Sequence, residues 1–195
     1  MKLMFETQET LEQIRAYLGD CHRCRLCETR RSIVFGSGDP HAALMIVGEA
    51  PGFDEDVKGE PFVGRAGKEL MKWLTAMHLT REQVYIANTI KCRPPDNRTP
   101  YDHEQTACFP FLRRQIVAVA PRVILALGSP AIRVLTTCGQ GVSAIHGKVF
   151  SFEGIPLIST FHPAAVLRDR DAYFPNVVQD LIVLVNLLYR KGEKQ

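Results

Sequence analysis

The sequence predicts an α/β domain built on a mainly parallel sheet. Short apolar runs alternate with amphipathic stretches, and each run breaks abruptly into a polar segment containing Gly, Pro or Asn. Alternation of this kind pairs strands in parallel through crossover helices that cover both faces of the sheet. In such sheets ligands bind beyond the carboxyl ends of the strands. That ordering places GEAPG, Asn88, GSP and FHPAAVLR on one rim.

Residues 4–18 read as a helix, with Leu11, Ile14, Ala16 and Leu18 roughly at helical spacing. The turn CHRCRLCETRR follows. ALMIVGEAPG has the pattern of a buried parallel strand that delivers a loop at its carboxyl end. GRAGKELMKWLTAMHL then reads as a helix and VYIANT as a second strand. Beyond the loop KCRPPDNRTP come a helix from Asp102 to Val119, the strand RVILALG and the helical SPAIRVLTT. VFSFEGIPLIST is expected to form a hairpin around Gly154, HPAAVLR a loop, and NVVQDLIVLVNLLYR the closing helix.

With 195 residues, 46% of them hydrophobic, the chain is most simply one domain over 1–195. It shows no internal repeat, low-complexity tract or linker, and no apolar run that reads as a membrane span. Its first residues are too acidic for a signal peptide, so the expected compartment is the cytoplasm. There six Cys are metal ligands, catalytic groups or buried thiols rather than disulfides. The net charge of +3, from 24 basic and 21 acidic residues, is mild. Affinity for nucleic acid must then come from local clusters.

Four cysteines in two distant pieces stand out: Cys21 and Cys24 on one turn, Cys92 and Cys108 flanking the Pro- and Arg-rich loop over 91–108. Thiolates ligate zinc and iron–sulfur clusters alike, and spacing alone leaves both open. A zinc ribbon would have a second Cys-x2-Cys, and a ferredoxin run through Cys27 would continue to Cys-Pro; neither does. Cys27 and Cys138 are therefore ambiguous.

The stretch 48–67 packs five Gly, two Pro, two Phe and five acids into one connection. Loops this long inside a compact domain are uncommon unless they function. No GK[ST] follows, so it is not a phosphate loop of the Walker type. Gly48, Gly52, Gly64 and Gly67 allow close backbone approach. Glu49, directly after a strand, would be aimed into the cleft to orient water or stabilise a cationic transition state, or would bond loop amides. Phe62, between Pro61 and Gly64, is either core or a stacking platform for a planar base. Asn88, at a strand end, is a turn residue or an amide that pairs with a base edge, in which case neighbours must lock its orientation. His162 precedes Pro163 and can donate a hydrogen bond to a developing oxyanion; the histidines at 22, 41, 78, 103 and 146 read as surface or filler. Leu167 and Arg168 pair an apolar wedge with a cation, suited to a DNA groove.

Together CRLC, GEAPGFDED, GEPFVGRAG, the stretch from Asn88 through KCRPPDNRTP, LGSPA and HPAAVLR resemble the family 4 uracil-DNA glycosylases, in order and over nearly the whole domain. GEAPG rather than GLAPG separates the chain from the neighbouring iron–sulfur family. The resemblance implies an α/β/α sandwich with a central four-stranded parallel sheet and a [4Fe–4S] cluster on Cys21, Cys24, Cys92 and Cys108, leaving Cys27 out. It also implies that Ala50, Gly52 and Asn88 hold uracil, that Phe62 stacks on it, and that Glu49 and His162 act on the glycosidic bond. Glu55 and Asp56 match the family's acidic pair, with no separate duty evident.

The expected partner is uracil-containing DNA, single- or double-stranded, bound by a monomer with Arg93, Arg98 and Arg168 on phosphates and free uracil as product. No Lys sits as a Schiff-base nucleophile in these motifs, so strand cleavage is not expected. Two rivals are an iron–sulfur electron carrier or redox sensor, which would cycle without releasing base, and a DNA-damage-binding module, which would bind without product. A sliding clamp or other repair protein as partner stays open.

Overall fold

The computed structural model describes residues 9–136 and 138–190. Its elements follow in the order α1 (Leu11–Leu18), β1 (Ser37–Gly38), β2 (Leu44–Gly48), α2 (Phe53–Lys58), α3 (Arg65–Ala76), β3 (Tyr85–Asn88), α4 (Asp102–Val119), β4 (Val123–Leu127), α5 (Gly128–Thr136), α6 (Val142–Ile145), β5 (Val149–Phe152), β6 (Ile155–Thr160), α7 (Pro163–Arg168) and α8 (Arg170–Tyr189). The six strands form one sheet in the order β1-β3-β2-β4-β6-β5. The central four, β3, β2, β4 and β6, are parallel as expected. The sheet is nevertheless mixed, because β1 and β5 add antiparallel edges. β5 and β6 make the expected hairpin, with positive φ at both Glu153 and Gly154, the conformation that a tight two-residue turn requires.

Alternation along the parallel strands divides the core in two. Leu44 and Ile46 of β2 and Val123, Leu125 and Leu127 of β4 point to a face covered by Leu70, Trp73 and Leu74 of α3 and Val177, Leu181, Leu184 and Leu188 of α8. Met45, Val47, Ile124 and Ala126 point the other way, onto Leu112, Ile116 and Val119 of α4 and Ile132 and Leu135 of α5. The three layers are thus helix, sheet and helix. Because β3 and β4 lie on opposite sides of β2, the strand order reverses there. A crevice opens at such a reversal, beyond the carboxyl end of β2.

Several local expectations change. α1 begins only at Leu11: Thr10 caps it, accepting from the Gln13 N–H at 3.2 Å while its own N–H donates to Gln13 Oε1 at 2.8 Å. The expected helical residues 4–8 lie outside the described residues. The stretch 48–67 contains α2 rather than a continuous loop. HPAAVLR is a short helix, because His162 accepts from the Ala164 N–H at its start and Pro163 has the φ of a first helical residue. α8 starts before Pro175, since Asp169 caps it by accepting from the Ala172 N–H at 3.1 Å. By length and composition α8 alone, among the described residues, is apolar enough to cross a membrane, contrary to the expectation of no such run. Here it buries Val177, Leu184 and Asp180 against the sheet.

Candidate active site

The carboxyl ends of the four parallel strands open into a cleft of about 860 Å³, lined by Glu49, Ala50, Phe62, Asn88 and His162 among others. All the residues expected to hold or act on a base, Gly52 included, line this cleft. Asn88 is brought opposite Gly48 by the β2–β3 register, and the Thr89 N–H closes the pair by donating to the Gly48 carbonyl at 2.9 Å. His162 follows β6 and meets Phe62 with ring centroids 5.6 Å apart.

Three buried side-chain oxygens lack a hydrogen-bond partner among the described residues, and two of them, Glu49 Oε1 and Asn88 Oδ1, belong to this cleft. An unmade buried hydrogen bond costs about 1–3 kcal/mol, so such groups persist where a ligand completes them. Burial holds the Glu49 carboxyl above the usual carboxylate range, opposed by a hydrogen bond from Thr99. Asn88 is 1% exposed. The hydrogen-bonded lock expected of its neighbours is not found at Oδ1. Packing confines the amide instead, since a Cβ on Gly48 would lie 2.5 Å from Asn88 Oδ1 and 2.7 Å from Phe62 Cζ. Only glycine lets the strand, the amide and the ring meet here.

Phe62 adopts φ +54°, a left-handed conformation that costs a bulky residue of order 1–3 kcal/mol. Arg81, not singled out from sequence, holds it there. Its guanidinium donates to the carbonyls of Pro61 and Phe62, the latter at 3.2 Å, to Ser37 Oγ at 3.2 Å and to Glu60 at 3.0 Å. Gly67 completes the turn, because a Cβ would stand 1.9 Å from the Phe62 carbonyl oxygen. The acidic pair gains separate duties. Glu55 accepts from the N–H groups of Val63, Gly64 and Gly52 at 3.0, 2.9 and 3.2 Å, tying both ends of the loop together. The Gly52 N–H is thus occupied by Glu55. Asp56, 1% exposed, accepts from the Arg31 and Ser32 N–H groups and ties α2 to the cysteine-rich segment.

His162 Nδ1 accepts from the Ala164 N–H at 3.2 Å, which places the ring proton on Nε2. Burial, with the Arg168 charge nearby, lowers its pKa to about 4. A neutral imidazole therefore presents an N–H donor. His146, read as surface or filler, instead bonds the buried Asp180 at 3.0 Å, and Asp180 accepts from Thr160 Oγ1 at 2.6 Å, supporting the strand that carries His162.

Leu167 and Arg168 are exposed on the cleft's margin, as a wedge and a phosphate contact require. Arg93 packs over the Phe53 ring and donates to Asn97 Oδ1 at 2.8 Å. Arg98 also borders the cleft, but both its terminal nitrogens are held by Glu104, at 2.8 and 2.7 Å. It is committed to the start of α4 before any phosphate arrives.

Away from the cleft, Cys21, Cys24, Cys92 and Cys108 line one small pocket with Leu18, Ile33 and Arg30; Cys27 and Cys138 do not. Every sulfur meets an N–H donor. Arg23 donates to Cys21 at 3.3 Å and Arg30 to Cys92 at 3.5 Å, while the backbone N–H groups of Leu26 and Lys91 serve Cys24 and Cys108. Burial pushes the Cys92 thiol up to about 12 and Cys108 to about 11. Among the described residues no three His, Cys, Asp or Glu side chains are grouped as a single metal ion needs. Lys91, buried beside this pocket, donates to the Asn88 carbonyl at 2.8 Å and so connects it to the end of β3.

Comparison with known proteins places the chain in a family. Residues 35–182 match the Uracil DNA glycosylase superfamily. The type-4 uracil-DNA glycosylase of Archaeoglobus fulgidus is 42% identical over 167 residues, spanning 82% of this chain and 84% of that protein. The Sulfurisphaera tokodaii protein of the same name is 40% identical over 178 residues, 87% of this chain and 79% of its own length. That of Thermotoga maritima is 40% identical over 193 residues, 97% of this chain and its whole length. Similarity of this degree over most of its length identifies the protein as a member of the type-4 uracil-DNA glycosylase family.

Proposed function

We propose that the protein extrudes deoxyuridine from DNA and hydrolyses its N-glycosidic bond, releasing uracil and leaving an abasic site. The observation that carries this reading is the convergence of two unpartnered buried oxygens, on Glu49 and Asn88, with the His162 donor in a cleft walled by Phe62. Asn88 Oδ1 is an acceptor for the uracil N3–H, and the same amide donates to O4. Phe62 offers the flat apolar wall on which the ring lies. As the bond breaks, the sugar gains oxocarbenium character and negative charge gathers on uracil O2. His162 Nε2–H donates to that oxygen, and its low pKa keeps it a neutral donor at physiological pH. The Glu49 carboxylate offsets the sugar cation and orients the water that attacks C1′. No lysine lines the cleft among the described residues, which supports hydrolysis without a Schiff base or strand cleavage.

We assign Cys21, Cys24, Cys92 and Cys108 as ligands of a [4Fe–4S] cluster. Four thiols around a shared pocket, each opposite an N–H donor, suit a body larger than one ion and the negative charge its sulfurs carry. When bound, the cluster supplies covalent cross-links between the 21–24 turn and the 92–108 loop; the hydrolysis needs no electron from it. The test is uracil release from U·G, U·A and single-stranded oligonucleotides, with iron and labile sulfide measured on the same preparation. Release of uracil without strand breaks is expected, and its absence on all three substrates would overturn the reading.

A further inference from the structure

Phe53 opens α2 and lies 52% exposed, the only exposed Phe among the described residues. It lines the same cleft as Phe62, Asn88 and His162. Two guanidinium groups stand over its ring, Arg31 at 5.5 Å and Arg93 at 5.2 Å. They come from separate segments. Arg93 adjoins Cys92, and the Arg31 backbone is fixed by Asp56. One turn further along α2, Val57 is also exposed, at 46%.

Two of the three acids of α2 are engaged away from the ring. Asp56 is buried on the Arg31 and Ser32 amides, and Glu55 is taken up by the loop amides. Asp54 lies over Gly64, where a Cβ would stand 2.6 Å from its Oδ2. Phe53 thus stands outward beneath two cations, with Asp54 the exposed acid beside it. Aromatic rings interleaved with arginines are the surface that binds unpaired nucleotides, the ring stacking on a base and the guanidinium groups turning to the flanking phosphates. Nothing in the base-cleavage step uses it.

We propose that Phe53, Arg31 and Arg93 form a second stacking platform, for the base adjoining the extruded deoxyuridine, and that it gives the enzyme a hold on single-stranded DNA. This rests on the uracil-DNA reading of the cleft. Extrusion deprives the neighbouring base of its stacking partner, and the platform at the cleft mouth replaces it. Leu167 serves the same cleft from α7.

The test uses the full chain and a labelled single-stranded oligonucleotide carrying a non-hydrolysable deoxyuridine analogue, read by fluorescence anisotropy. Phe53→Ala is expected to weaken binding about tenfold, the size of one base–aromatic stack, and Phe53→Trp to restore it. Replacing the neighbouring base on one side by an abasic spacer should weaken the wild type to the same extent and leave Phe53→Ala unchanged, the mark of a direct pair. Arg31→Gln and Arg93→Gln should each flatten the salt dependence by about one phosphate's worth. Inhibition by free uracil, which reports the Phe62–Asn88 pocket, should not change in Phe53→Ala. Unaltered oligonucleotide binding in Phe53→Ala, or equal spacer effects in both proteins on either side, would overturn the platform. Binding needs no turnover, so absence of uracil release by the wild type would sink the glycosylase reading separately.

Discussion

The cleft and the cysteine pocket lie at opposite ends of one short run of chain, Asn88 to Cys92, and satisfy their polar atoms in opposite ways. In the cleft, Glu49 Oε1 and Asn88 Oδ1 are buried with no partner. In the pocket every sulfur faces an N–H group. Groups left wanting are poised for a ligand that comes and goes, whereas groups already completed hold a permanent fixture. The contrast supports the proposal that the chemistry belongs to the rim and that the cysteines brace it.

The hardest blow to that contrast would come from the rim residues. Glu49→Gln and His162→Ala are each expected to lower single-turnover uracil release by about 10²–10⁴-fold, the range for a positioned acid–base group or oxyanion donor. Activity within tenfold of wild type in either would move the chemistry elsewhere. The pH profile sharpens the same point. The Glu49 carboxyl titrates above the usual carboxylate range, so release should fall with acidification through that raised value as the needed charge is lost. His162 stays neutral until about pH 4, so it contributes no loss above that. A profile flat down to pH 4 would remove Glu49 from its role.

A smaller effect belongs to base capture. Asn88→Ala should raise the inhibition constant for free uracil about tenfold, the loss of a buried hydrogen bond. Equal inhibition of mutant and wild type would make Asn88 a turn residue only. Arg81→Ala acts one step further out, by releasing the strained Phe62 turn. It should weaken uracil binding several-fold, with Arg81→Lys intermediate because one ammonium cannot reach four acceptors. A change in thermal stability alone, with uracil binding intact, would make Arg81 merely structural.

The least effect on chemistry is expected in the pocket. Cys92→Ser should lose iron and lower the unfolding midpoint by about 5–15 °C, at roughly 2–4 °C per kcal/mol for a domain of this size. The rate per folded molecule should stay within about twofold of wild type, since the bond-breaking groups are elsewhere. Should the variant fail to fold, reducing and reoxidising the wild-type cluster gives the same information. A rate that follows the redox state would break the contrast.

Much of this was legible in the chain because it depends on order and spacing. β2, β3, β4 and β6 are short apolar runs, and a buried parallel strand needs little else. Residues immediately after such strands must share a rim, which is why Glu49, Asn88 and His162 could be grouped. What was not legible depended on partners far away in sequence. α2 and α7 are too short to show a periodic face, and each is made by a local cap. The duties of Glu55 and Asp56 are set mostly by amides 8 to 25 residues distant. Arg98, grouped with phosphate-binding arginines, is claimed by Glu104.

By itself the sequence determined the layered α/β architecture and the strand ends that carry the carboxylate, amide and imidazole. Periodicity and position after a strand are local properties, and they survive being read one residue at a time. Only the tertiary structure decided which polar atoms are left unpartnered, that Arg81 holds Phe62 in a left-handed turn, and that Phe53 stands outward beneath two arginines. Each is a matter of what meets what across the fold. A hydrogen bond, a steric limit at Gly48 or an exposed ring exists only once distant segments have been brought together.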